Sequence, residues 1–143
     1  LLARVHRQTG AAVVSLEHDA TWHGLMHERL RKLGLPQQGV RLAPLREYPG
    51  FHWYDFADAL HDVPQIEVVL CDGPPSRTPG GRYGLMPCLG DRLVDGAQII
   101  VDDTTRDAEA GMVQRWIAES AGRLALSQSF PDFAVLTYRM NPT

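Results

Sequence analysis

The sequence predicts an α/β fold: a doubly wound, mostly parallel sheet closing in a C-terminal antiparallel hairpin. Three observations predict it. Short apolar runs alternate with helix-spaced segments along the chain, the pattern of repeated strand–helix units. Two of those runs, Val68-Val-Leu-Cys71 and Ala97-Gln-Ile-Ile-Val101, end in carboxylates, Asp72 and the pair Asp102-Asp103. The last two strand-like segments, 124–130 and 133–139, are parted by little more than Pro131-Asp132. Parallel neighbours need a crossover of about a dozen residues, so that last pair is antiparallel.

Taken in order, Leu1 to Gln8 reads as the second half of a helix stopped by Thr9-Gly10. Ala11 to Leu16 reads as a buried strand ending in Glu17-His18-Asp19, where Asp19 can cap the next helix. In that helix Trp22, Leu25, Met26, Leu30 and Leu33 recur at helical spacing, which predicts one core stripe. Gly34 and Pro36 stop it, and Gly39 to Ala43 is a short third strand closed by Pro44. The aromatic-rich segment 45–53 reads as a loop, and Asp55 to His61 as a short helix.

Ile66 to Cys71 lacks polar alternation over its apolar part, which predicts a strand buried on both faces. Pro74 and Pro75 have no backbone donors, so the strand stops there and Asp72-Gly73 stands at its carboxyl end. Open α/β sheets bind ligands at that end. Ser76 to Arg82, rich in Pro and Gly, reads as a mobile loop over such a site. A helix through Leu89 and Leu93 then leads to a turn at Asp95-Gly96. Thr104 opens a capping box with Asp107 for a helix that buries Met112, Val113, Trp116 and Ile117.

At 143 residues the chain is expected to form a single domain, 1–143, with a sizeable core. Its net charge is −3 and no Lys/Arg run stands out, so neither nucleic acid nor an anionic membrane is the expected partner. No apolar run is long enough to span a bilayer, and no signal-peptide pattern is present. Cys71 and Cys88 lack CxxC spacing, and Cys71 lies in an apolar strand, which suits a reducing, cytoplasmic setting.

Asp72, Asp102 and Asp103 end two strands that the fold makes neighbours. They form an all-oxygen set suited to a hard divalent cation, or Asp72 serves as a simple base and Asp103 as a helix cap. His23 and His27 have the i, i+4 spacing of zinc ligands without an evident third. His52 and His61 are candidate bases by residue type. Arg77, Arg82 and Arg106 match acidic or phosphorylated groups by their forked donors, or are solvated loop charges.

Together, Glu17-His18-Asp19 after a strand, Asp72-Gly-Pro-Pro75, Arg82-Tyr83, Asp102-Asp-Thr-Thr-Arg106 and the final hairpin resemble a class I S-adenosylmethionine-dependent methyltransferase, which has a Rossmann-like fold. The resemblance covers almost the whole chain and is nearest to small-molecule and sugar O-methyltransferases carrying the same DGPP element. It implies an enzyme that transfers a methyl group to a small-molecule or sugar hydroxyl, aided in some members by a divalent metal such as Mg²⁺. It implies cofactor contacts at Glu17, His18, Asp19, Leu45, Asp72 and Gly73, with Glu17 the ribose ligand and Asp19 second choice. It also implies metal ligands at Asp72, Asp102 and Asp103, a catalytic Asp72, and acceptor contacts from Arg82, Tyr83 and Arg106. A homo-oligomer is compatible with it.

One departure stands out. The family's first strand and glycine-rich turn are not supplied by this chain, which starts Leu1-Leu2-Ala3. The expectation is therefore a fragment lacking both. Two alternatives remain open on sequence: a nicotinamide-dependent oxidoreductase, which also places an acid after its second strand, and a non-catalytic cofactor-binding or scaffold domain.

Overall fold

The computed structural model describes residues 2–141, and the backbone divides into two compact units, residues 1–46 with 54–61 and residues 47–53 with 62–143. The elements are α1 (Leu2–Thr9), β1 (Ser15–Glu17), α2 (Ala20–Lys32), β2 (Val40–Leu42), β3 (Leu45–Tyr48) and β4 (Phe51–Tyr54), then β5 (Ile66–Cys71) and α3 (Leu85–Leu89). A 3₁₀ turn at Gly90–Arg92 leads into β6 (Leu93–Asp102), followed by α4 (Asp107–Glu119), β7 (Leu124–Ser129) and β8 (Phe133–Tyr138).

The expected doubly wound, mostly parallel Rossmann-like sheet is not formed. Among the described residues the strands fall into three sheets: β1–β2, β3–β4, and a four-stranded sheet in the order β5-β6-β8-β7. In the last, β5–β6 is parallel while β6–β8 and β8–β7 are antiparallel, so the sheet is mixed. The terminal hairpin docks on β6 through β8 and supplies two of the three ladders. β5 is left as an edge strand with Val68 and Leu70 exposed, not buried on both faces as a doubly wound sheet requires.

In the first unit β1 pairs β2 in parallel from Ser15↔Val40 to Glu17↔Leu42. The ladder is entered by Ser15 N–H donating to Gly39 O at 2.6 Å. A Cβ on Gly39 would lie 2.7 Å from Val13 O, so the close approach requires glycine. Residues 11–14, expected in the strand, lie outside it.

Helix α2 departs most from its pattern. Leu30 is buried, but Trp22, Leu25, Met26 and Leu33 are exposed rather than forming a core stripe. The face turned to β2 instead carries His23 and His27, whose Nε2 atoms lie 3.3 and 2.7 Å from Val40 O. β2 is an edge of its sheet, and an edge carbonyl facing a helix needs a donor. Imidazole supplies one where leucine cannot. Turns over 57–62 take the place of the helix expected from Asp55 to His61, and Arg41 Nη1 donates to Ala59 O at 2.6 Å.

In the second unit β6 is central and its burial alternates, with Leu93, Ala97, Ile99 and Val101 inside. Asp95-Gly96 is not a turn: the strand runs through it, with Gly96 at φ 83°. The expected loop at 45–53 is two strands joined by Pro49-Gly50. Helix α4 buries Met112, Val113 and Trp116 as its spacing predicts. It starts after Arg106 rather than Thr104 and has no side-chain cap. Asp107 and Glu109 in its first turn supply the negative charge that its dipole favours.

Candidate functional site

Register brings the carboxylates together. Cys71 is paired with Val101 across the parallel β5–β6 ladder, so Asp72 and Asp102 emerge side by side at the carboxyl ends. Asp103 then turns back, at φ 60°, and donates its N–H to Asp102 Oδ1 at 2.9 Å. One ligand oxygen from each of Asp72, Asp102 and Asp103 lies within 4.8 Å of the others. Asp72 presents its side chain to solvent at 68% relative exposure, and Asp103 at 31%.

A guanidinium closes the cluster from beneath. Arg82 is 4% exposed. Its Nη1 donates to Asp102 O at 2.7 Å and Cys71 O at 3.4 Å, joining the ends of β5 and β6. Its Nη2 donates to Asp103 Oδ2 at 3.0 Å and Asp72 Oδ1 at 3.5 Å. Arg106 approaches the same Asp103 oxygen from outside at 2.8 Å and donates to Ser76 Oγ at 3.3 Å. Three carboxylates thus face two guanidinium groups. Asp103 is an ion-pair partner here and not the cap of α4.

The loop that delivers Arg82, expected to be mobile, is closed by hydrogen bonds. Successive turns close it through Thr78 N–H to Pro75 O at 2.8 Å, Gly81 N–H to Thr78 O at 2.7 Å and Tyr83 N–H to Gly80 O at 3.0 Å. His52 N–H donates to Pro79 O at 2.8 Å, and Thr78 is buried. Gly80 has φ 79°, and a Cβ there would fall 2.5 Å from Phe51 Cβ. Gly84 packs as tightly, with the Trp53 ring 2.7 Å from where its Cβ would be.

The other expected site residues are placed as follows. Arg82, expected to contact the acceptor, is turned inward, and its Nη1 and Nη2 donate to protein groups. The Tyr83 hydroxyl lies at the surface, donating to Glu119 Oε2 at 2.7 Å, with Arg115 stacked 3.8 Å from the ring centroid. Arg106 remains exposed at the cluster's rim, and Arg77 is exposed in the loop. Gly73 follows Asp72 directly, and its O accepts from the Cys71 thiol at 3.9 Å.

In the first unit Glu17 Oε1 accepts from Asp19 N–H at 2.8 Å and lies 3.2 Å from His18 Nδ1. Asp19 Oδ1 is used as the cap of α2, accepting from Thr21 N–H at 2.8 Å and Trp22 N–H at 3.0 Å. Leu45 begins β3, half-buried. The His23–His27 pair converges on the Val40 carbonyl, with ring centroids 4.1 Å apart. His61 Nδ1 is bonded to Asp58 O at 2.8 Å, and half-buried His52 lies in β4; neither histidine joins the cluster.

One buried group beside the cluster, Glu109, was missed on sequence, and the burial of Arg82 was not foreseen. Glu109 is 4% exposed, and its Oε2 has no hydrogen-bond partner; the same holds for Arg82 Nε. Both act on Cys71, whose thiol is pushed up to about 12, first by burial, against the pull of Arg82 and with Asp72 and Glu109 adding to the rise. No periodicity announces a charged residue turned inward. The one available signal was Glu109 on the same helix face as Met112, Val113 and Trp116.

By chemistry the donor set suits a hard divalent ion: three carboxylates, oxygen only, with one oxygen from each within 4.8 Å of the others. Comparison with protein-family models finds no match, and comparison with curated proteins finds no matching relative.

Proposed function

We propose that this chain carries out S-adenosylmethionine-dependent methyl transfer to a small-molecule or sugar hydroxyl, assisted by a divalent ion. The observation that carries the reading is the convergence of Asp72, Asp102 and Asp103 oxygens within 4.8 Å at the ends of two parallel strands. When bound, the cofactor supplies a methyl group on a cationic sulfur, and a divalent ion supplies Lewis acidity that makes a hydroxyl easier to deprotonate.

The chain's own groups have separable roles. Glu17 accepts hydrogen bonds from ribose hydroxyls. Asp72 is the most exposed of the cluster carboxylates and takes the acceptor's proton. Asp102 and Asp103 would hold the ion together with Asp72. Arg106, at the rim, meets an anionic group on the acceptor.

The test is methyl transfer from isotope-labelled cofactor to a panel of polyhydroxylated acceptors, run beside calorimetry of cofactor binding. Expected is transfer that chelator abolishes and Mg²⁺ or Mn²⁺ restores, with cofactor affinity nearly unchanged. Transfer that persists in excess chelator overturns the metal's part. Tight binding of a nicotinamide cofactor in place of S-adenosylmethionine overturns the whole reading.

A further inference from the structure

The geometry points to Arg82 as the resident counter-cation of the acidic cluster, a positioning residue that holds Asp72 and Asp103 in place and keeps the cluster's affinity for divalent ions low. The inference rests on the reading that this cluster holds a hard cation.

Four features carry it. Arg82 is buried at 4% exposure, so its charge is poorly screened by solvent. Its guanidinium touches two of the three carboxylates, at 3.0 and 3.5 Å, and the backbone carbonyls of both strand ends. The hydrogen-bonded loop and the tight seats of Gly80 and Gly84 fix the segment that bears it. Arg106 adds a second, exposed positive charge at 2.8 Å from Asp103 Oδ2.

Charge arithmetic then gives the direction. Three carboxylates against two guanidinium groups leave a residual charge near −1, where the bare carboxylates would offer −3. An incoming divalent ion meets a fixed positive charge within a few ångströms, and Asp103 Oδ2 is already shared between two donors. The array is therefore held in order without an ion and binds one weakly and exchangeably. Removing the buried charge removes the larger repulsion; removing the exposed one removes a smaller, screened part.

The experiment is Mn²⁺ binding to the full chain, read by the electron paramagnetic resonance of unbound Mn²⁺, with circular dichroism to establish folding. Arg82→Met is expected to bind Mn²⁺ about tenfold more tightly than the unsubstituted chain. Arg82→Lys, which keeps the charge, stays near the original affinity. Arg106→Gln, at an exposed side chain, gains about twofold. Adding Asp103→Asn to either variant cancels the gain. A folded Arg82→Met with unchanged or weaker Mn²⁺ binding overturns the inference. Should Arg82→Met fail to fold, unchanged Mn²⁺ affinity in Arg106→Gln overturns it. The underlying reading fails separately: an original chain that binds no Mn²⁺ at millimolar concentration, beside an Arg82→Met chain that does, sinks metal-assisted transfer and leaves the role of Arg82 standing.

Discussion

Asp103 reaches the Arg82 guanidinium at 3.0 Å from a backbone held at φ 60°. A non-glycine residue in the left-handed region costs about 1 kcal/mol, and Asp is among those that tolerate it. The ion pair and the bond from its own N–H to Asp102 Oδ1 offset that cost. Asp103→Ala keeps the unfavourable backbone and strips Arg82 of its nearest carboxylate. It is expected to lower stability by about 2–4 kcal/mol in urea unfolding. Asp103→Asn, which accepts one hydrogen bond and tolerates the same φ, should cost about half as much. Equal losses would show that charge, not backbone, sets the difference from the original chain.

The Cys71 thiol gives a pH dependence with a definite sign. Its pKa is raised from 9.0 to about 12, so above pH 9 the unfolded chain releases a proton that the folded chain keeps. Stability is whole below pH 9 and falls by roughly 1.4 kcal/mol per pH unit as pH climbs toward 12. Cys71→Ala is expected to flatten that part of the alkaline unfolding curve. In the native chain at pH 8 the thiol should resist alkylation, and Cys88, raised to about 11, should react slowly.

Gly80 and Gly84 hold the loop beneath the cluster against Phe51 and Trp53. Gly80→Ala combines a positive φ with a Cβ placed 2.5 Å from Phe51 Cβ, and is expected to cost about 2–4 kcal/mol. Gly84→Ala meets only the packing term and should cost about 1–3 kcal/mol. Both should release Arg82, so amide exchange at residues 78–83 should accelerate in each. Exchange at wild-type rates in Gly80→Ala would show that the loop is held by its own turns alone.

Glu17 and Asp19 are separated by what their oxygens already do. Asp19 caps α2, so Asp19→Ala should lower thermal stability by about 1 kcal/mol and leave cofactor affinity alone. Glu17→Ala should do the reverse, weakening S-adenosylmethionine by about 1.5–3 kcal/mol in calorimetry. The opposite split would move the ribose role to Asp19.

The parts that could be read from the sequence were those where one local rule decides. Pro131-Asp132 allowed no crossover, and β7 and β8 are antiparallel. The spacing of Met112, Val113 and Trp116 gave the inner face of α4. The run of Val68 to Cys71 and that of Ile99 to Val101 delivered Asp72 and Asp102 to adjacent strand ends. What failed needed knowledge of the partner surface. An apolar stripe on α2 says nothing of what covers it, and an edge carbonyl at Val40 drew histidines inward instead. Pro49-Gly50 was a turn signal between two short strands, obscured by the surrounding aromatics. Arg82 was singled out on sequence, but its burial carried no signal, because burial of a guanidinium depends on carbonyls and carboxylates gathered from two other segments, the ends of β5 and β6.

The mixed sheet also orders its own assembly in time. β7 and β8 are joined by residues 130–132 and can zip within microseconds, whereas β6 meets β8 only after the chain has passed through α4. Among the described residues β5 pairs with β6 alone, so the end that carries Asp72 lies at the margin of the four-stranded sheet, where pairing is expected to form late. Truncating Leu136 or Leu124 should therefore slow refolding, while truncating Val69 should mainly speed unfolding. A refolding rate more sensitive to Val69 than to Leu136 would reverse that order.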